Sequence, residues 1–193
     1  MFMLILLLAL NFGVSWLNCW AVGGMWAESK VLGGFPRLLA WCGAIQAAIG
    51  FSCVIGAVLG ALSIHFGFLS DKAAVQAMSL WYLLVIVPAI GSGLIMTIQA
   101  WIVAFRERSI LSMGVAAYDT LAQAHNMIGA FRNIGSVWGD VADLFSGEDD
   151  EPSVAVLVVA LVAFALAGGI LLTALLIRRY AGRIELPYRI VPA

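Results

Sequence analysis

Residues 38–70 read LLAWCGAIQAAIGFSCVIGAVLGALSIHFGFLS, 33 consecutive positions without an Asp, Glu, Lys or Arg. A bilayer core about 30 Å thick needs roughly 20 apolar helical residues to cross it, so this run is long enough to span. Three further runs have the same character: residues 1–27, 73–105 and 152–177, of 27, 33 and 26 residues. Together the four hold 119 of the 193 positions and none of the 21 charges. The pattern predicts an all-α integral membrane protein, built as a bundle of four transmembrane helices.

Composition agrees. The chain is 63% hydrophobic, with a mean hydropathy of +1.04, outside the range of water-soluble domains. Its length suits one membrane domain over residues 1–193, with no separate soluble unit. A net charge of −1 excludes the concentrated basic surface that nucleic acid needs. Cys19, Cys42 and Cys53 all fall inside apolar runs with no CxxC spacing, so they read as packing residues rather than a disulfide frame or zinc site. The apolar start has no basic segment before it and no small-residue cleavage site after it. It is expected to be a retained first span and not a cleavable signal peptide, placing the chain in a plasma or inner membrane.

The expected spans are 2–27, 38–64, 75–105 and 153–177, with a basic tail over 178–193. Pro88 is expected to bend the third. Trp26, Trp41 and Trp101 fall at one set of span ends and Trp81 and Tyr82 at the other, as headgroup-level aromatics do. The fourth span differs in kind: between Val154 and Ile177 its only polar side chain is Thr173, and Gly168 and Gly169 sit near its centre. It reads as an anchor in lipid or as a helix that uses glycine for close approach.

Between the third and fourth spans, residues 109–145 are neither spanning in composition nor a loop. Ala117, Leu121, Ala124, Ile128, Phe131, Gly135, Trp138, Ala142 and Phe145 recur at helical spacing, while Asp119, Gln123, Asn126, Asn133 and Asp140 gather on another side. This is an amphipathic helix, with Gly129, Gly135 and Gly139 as points where it is expected to break. Beside lipid its natural placement is flat in the interface plane. The acidic run Glu148, Asp149, Asp150, Glu151 follows it.

Flanking charges complicate that placement. Lys30, Arg37, Arg106 and Arg108 put one side of the first three spans in the cytoplasm, and Arg178, Arg179 and Arg183 do the same for the end of the last. Four crossings cannot satisfy both. Either a short conflict is tolerated, or the amphipathic segment itself crosses, which satisfies every flank. A crossing helix carrying Asp119, His125 and Arg132 requires a wet or protein-lined path.

Candidate functional residues are polar side chains inside the spans. Asn11, Ser15 and Asn18 share a face of the first span at spacings of four and three. Gln46 sits on a stripe of the second with Gly50, Gly56 and Gly60, and the third contributes Ser92 and Gln99. Counted from the span ends, Asn18, Gln46 and Gln99 lie at one depth, where three carboxamides meet. Such a layer either glues helices together or lines a conduit. Gly50, Gly56 and Gly60 read as helix-packing positions. His65 and His125 are the only histidines and form no pair. No metal cluster, cofactor motif, GxSxG or HExxH is present, so no catalytic residue, metal or cofactor is expected. The sequence therefore points to a non-enzymatic subunit of a homo- or hetero-oligomeric membrane assembly. Its partners are the lipid bilayer and either copies of itself or another membrane protein, docked through 109–151. The alternatives are a channel or small-solute transporter lined by Asn11, Ser15, Asn18, Gln46, Ser92 and Gln99, and an enzyme of lipid or quinone chemistry.

Overall fold

The structure, a computed structural model, describes residues 2–146 and 152–184. Within them it contains five α-helices and no strand: α1 (Phe2–Leu32), α2 (Gly34–His65), α3 (Asp71–Glu107), α4 (Ile110–Phe145) and α5 (Pro152–Ala181). α1, α2, α3 and α5 are each long and apolar enough to cross a membrane; α4 is not. The acidic run 148–151 and the tail from 185 onward lie outside the described residues.

α1, α3 and α5 outrun the charge-free stretches that announced them, while α2 begins four residues before its stretch and ends five short of it. α1 continues past Glu28 and Lys30 to Leu32, because charged side chains are good helix formers and end a span without ending a helix. What ends α1 is backbone: Gly33 and Gly34 adopt φ of +57° and +49°, a left-handed geometry cheap only for glycine. α2 starts at once, so α1 and α2 form a hairpin joined through a single residue. α3 begins where Ser70 caps it, its hydroxyl accepting from the Ala73 amide at 3.2 Å, with Asp71 in the first turn facing the positive helix end. α3 is continuous through Pro88 and stops at Arg108. Ser109 then caps α4 by accepting from the Ser112 amide at 3.0 Å. α4 is unbroken from Ile110 to Phe145, so its glycines do not interrupt it.

α2 is the centre of the bundle and packs against α1, α3 and α5, while α3 also holds α4. Contacting residues give the directions. Gly50 meets Ser15 and Gly43 meets Val22 across the antiparallel α1–α2 pair. Gly169 meets Ala48, and Gly56 meets Ala165, across the antiparallel α2–α5 pair. Gly23 meets Tyr180, so α1 and α5 run parallel. Two apolar clusters result. One joins Cys19, Val22, Ala47, Phe51 and Leu176; the other joins Leu69, Ala73, Ala77, Leu144, Val158 and Val162. In lipid such packing is held by close van der Waals fit rather than by the hydrophobic effect, which is why glycines stand at its closest points.

α5 is therefore a packing helix in the bundle rather than an isolated anchor. A Cβ at Gly169 would stand 2.5 Å from the Ala48 carbonyl oxygen, so only glycine permits the α2–α5 approach. Gly50 likewise leaves room for Ser15, and at Gly56 an added Cβ would meet Ala165 at 3.3 Å. At Gly60 nothing approaches within 4 Å of an added Cβ, so that glycine serves no close approach.

α4 does not lie across the end of the bundle. It runs antiparallel beside α3 for most of its length: Trp101 reaches Thr120, Gly93 touches Gln123, Ser79 bonds Asp140, and Ala73 and Ala77 share a cluster with Leu144. Its apolar stripe points away from the bundle, with Leu121 at 71% and Phe131 at 78% exposure. Of its polar stripe, Gln123 and Asp140 are set against α3, while Asn126 and Asn133 stay exposed beside it. The spacing of apolar residues reports that a helix has two faces; it does not report which medium each face meets. That is where the flat placement and this arrangement part.

Candidate functional site

The polar stripe of α4 meets the polar faces of α1 and α2 around one cleft of about 510 Å³. α1 contributes Asn11, Ser15 and Asn18; α2 contributes Gln46; α4 contributes Gln123, His125, Asn126 and Asn133. α3 supplies Tyr82 and the backbone around Ala89. The walls between these groups are apolar, including Val85 and Ile86.

Gln46 organises the α2–α3 side. Its amide nitrogen donates to the Ala89 carbonyl at 2.7 Å and to the Ser92 hydroxyl at 2.9 Å. Ser92 itself donates back to the Pro88 carbonyl at 2.5 Å. Proline lacks an N–H, so the turn preceding Pro88 loses one helical bond and the turn after it is reinforced by side chains instead. Ala89 is 17 residues from Lys72 and 17 from Arg106, so the Gln46 contact stands halfway between the charged ends of α3. On α1, Ser15 donates to the Asn11 backbone carbonyl at 2.8 Å, with the Asn11 side-chain oxygen at 3.5 Å, the back-bond a hydroxyl makes inside a helix.

The candidate residues separate into three groups. Asn11, Ser15, Asn18 and Gln46 line the cleft, and Ser92 touches it through Gln46. Gln99 lies elsewhere, half-buried on α3, its buried Oε1 without a hydrogen-bond partner. The reason is helix length. Asn18 is 14 residues from the end of α1 at Leu32 and Gln46 is 12 from Gly34, depths of about 21 and 18 Å, whereas Gln99 is 8 from Glu107, about 12 Å. Counting from the charge-free runs placed all three together because it ended α1 too soon and began α2 too late.

The α4 set divides similarly. Asp140 accepts from the Ser79 hydroxyl at 2.8 Å and Gln123 lies directly against Gly93, so both are engaged by α3. Asp119 is half-buried, while Asn126 and Asn133 are exposed along the cleft. Tyr82 and His125 are cleft residues that sequence reasoning did not include. His125 carried little signal: it stands four residues from Leu121 and three from Ile128, on the flank of the apolar stripe, and only the neighbouring helices bring it to the cleft. Trp81 is also displaced from its expected role at a span end. Its indole donates to Ser52 at 2.8 Å and ties α3 to α2 inside the bundle.

One side of the cleft stays open, because α1 and α4 face each other without packing along their lengths. No group of three or more metal-binding side chains occurs among the described residues. Chemically the cleft offers amide, hydroxyl and carbonyl dipoles, suited to exchanging hydrogen bonds with a polar guest. Comparisons with protein-family models, with curated proteins and with solved structures give no match.

Proposed function

We propose that this chain is a five-crossing, non-enzymatic membrane protein that carries a small polar solute or ion through the bilayer along the cleft between α1 and α4. One observation carries the reading: α4 turns its apolar stripe out and sets Gln123 and Asp140 of its polar stripe against α3, with Asn126 and Asn133 beside them along the cleft. In water that arrangement exposes Leu121, Ile128 and Phe131 at great cost; in lipid it is the favourable one for a helix that crosses beside a polar interior. The antiparallel register with α3 supports a crossing, since a partner lying along a spanning helix spans with it. Five crossings also bring Lys30, Arg37, Arg106, Arg108, Arg178, Arg179 and Arg183 to one side, leaving Lys72 opposite.

Uncharged dipoles at mid-depth fit transport better than catalysis. They replace part of a solute's hydration shell without holding it as tightly as a fixed charge, and passage needs binding weak enough for release. Flux into proteoliposomes tests this, with potassium chloride read as conductance and urea and glycerol read by light scattering. The wild type is expected to pass at least one of these above protein-free vesicles, and Asn18→Leu or Asn126→Leu to abolish it. No flux of any probe, or flux indifferent to both substitutions, refutes the reading.

The open side favours a second reading that joins the first: the chain is a subunit of an assembly. Asn126, Asn133 and His125 facing hydrocarbon are costly until another protein surface covers them. A mass measurement on the detergent-solubilised protein separates a solitary carrier from a subunit.

A further inference from the structure

On the far side of α2 from the polar cleft lies a groove of about 740 Å³, bounded by the ends of α1 and α5 and the beginning of α2. We propose that it binds an anionic phospholipid, one acyl chain in the groove and the phosphate between Lys30 and Arg178. The volume falls in the roughly 300–1,000 Å³ range of ligand cavities. Among the described residues its walls are apolar apart from Thr173 and these two cations, and the recess exists because Ala44, Ala48 and Ala174 are small. Ile170 at its depth is eight residues from Arg178 at its rim, about 12 Å along α5. Trp26 and Trp41 meet edge to face with centroids 5.3 Å apart beside the rim, at the level where indoles favour lipid headgroups.

Charge placement selects the headgroup. Lys30 and Arg178 both line the groove near the ends of α1 and α5, and among the described residues no acidic side chain does. Cations at helix C-termini complement the helix dipole and need no ligand for that purpose. The dipole does not account for a recess beside them: an empty apolar groove forfeits contacts along its whole wall, which an acyl chain restores. Basic pockets between membrane helices bind anionic lipid headgroups on the same physical grounds. This site shares no residue with the cleft and stands or falls separately from the transport reading.

Native mass spectrometry of the full chain, delipidated and then titrated with lipid, tests the proposal. Dioleoyl phosphatidylglycerol is expected to bind at least tenfold more tightly than dioleoyl phosphatidylcholine. Lys30→Gln and Arg178→Gln should each weaken it about fivefold, and together about 25-fold. Ala174→Trp fills the groove without changing charge and is expected to weaken both lipids. Arg179→Gln removes an adjacent cation that does not line the groove, and should leave binding unchanged. Inorganic phosphate at millimolar concentration should not compete; displacement by phosphate alone would reassign the site to a free anion and overturn the lipid. Equal binding of the two lipids, equal loss in Arg179→Gln and Arg178→Gln, or no effect of Ala174→Trp also overturns it.

Discussion

Two adjacent glycines in α5 separate backbone packing from side-chain packing. A Cβ at Gly169 would stand 2.5 Å from the Ala48 carbonyl oxygen, 2.8 Å from the Ser52 amide nitrogen and 2.9 Å from the Ser52 Cβ. Neither backbone atom moves without moving α2. Restoring an ordinary contact of 3.4 Å from 2.5 Å requires the helices to part by about 0.9 Å. A gap of that size forfeits about a quarter to a half of each affected van der Waals well, and overpacking of this kind costs ~1–3 kcal/mol. Alanine's better helix propensity returns up to about 1 kcal/mol. Gly169→Ala should therefore lose about 1–2 kcal/mol. At Gly168 the nearest atom is the Ile55 Cδ1 at 3.1 Å, the far end of a flexible side chain that can turn aside. Gly168→Ala should then be neutral or gain up to about 1 kcal/mol from the same propensity term. Reversible unfolding of both variants by dodecyl sulfate in mixed micelles, followed by circular dichroism, measures the difference. Trp81 fluorescence, in a background with the other six tryptophans replaced by Phe, gives a local readout, since its indole bonds to the Ser52 that Gly169 abuts. A Gly169→Ala protein as stable as Gly168→Ala would refute the claim that backbone contact sets the α2–α5 distance.

Single cysteines at Phe68 and Ser146, in a background without the three native ones, should react with an impermeant maleimide from the same side of sealed vesicles. Labelling from opposite sides would remove α4 as a crossing helix. Arg108, at φ 53° and ψ 31°, holds the α3–α4 turn in a conformation that glycine adopts freely. Arg108→Gly should gain about 0.5–1 kcal/mol and Arg108→Val should lose stability, both read from the unfolding midpoint; identical midpoints would contradict the left-handed turn. Ser79→Ala strands the Asp140 carboxylate and should cost about 1.5–3 kcal/mol in the same assay. Asp140→Ala should cost less, because the freed hydroxyl can bond its own helix.

The four long apolar helices were legible because charge is expensive in hydrocarbon, and charge-free runs therefore mark segments apolar enough to meet lipid. Helix ends were not, because a helix continues past its apolar stretch until backbone geometry stops it, as at Gly33 and Arg108. Half the cleft was legible too. Asn11, Ser15 and Asn18 share a face by spacing alone, and Gln46 lay near the right depth. Gln99 was misplaced by those same helix ends, and the two short hairpins that set α1 against α2 and α3 against α4 carry no periodic signal. The orientation of α4 was the least legible feature. Leu121 and Phe131 define its apolar stripe equally well in either medium, and only the position of α3 decides which way the stripe turns.

The turn between α3 and α4, from Glu107 through Arg108 to Ser109, has a consequence for biosynthesis on the five-crossing reading. Asp and Arg near the middle of a helix each add about 2.5–3.5 kcal/mol to its insertion, and α4 carries Asp119 and Arg132. Alone, α4 would be passed over by the insertion machinery. Tied to α3 by so short a turn, it has to enter as the second limb of a pair, with Ser79 and Gly93 receiving Asp140 and Gln123 as it goes in. The order of synthesis thus becomes an order of assembly, in which α3 is the template and α4 its cargo.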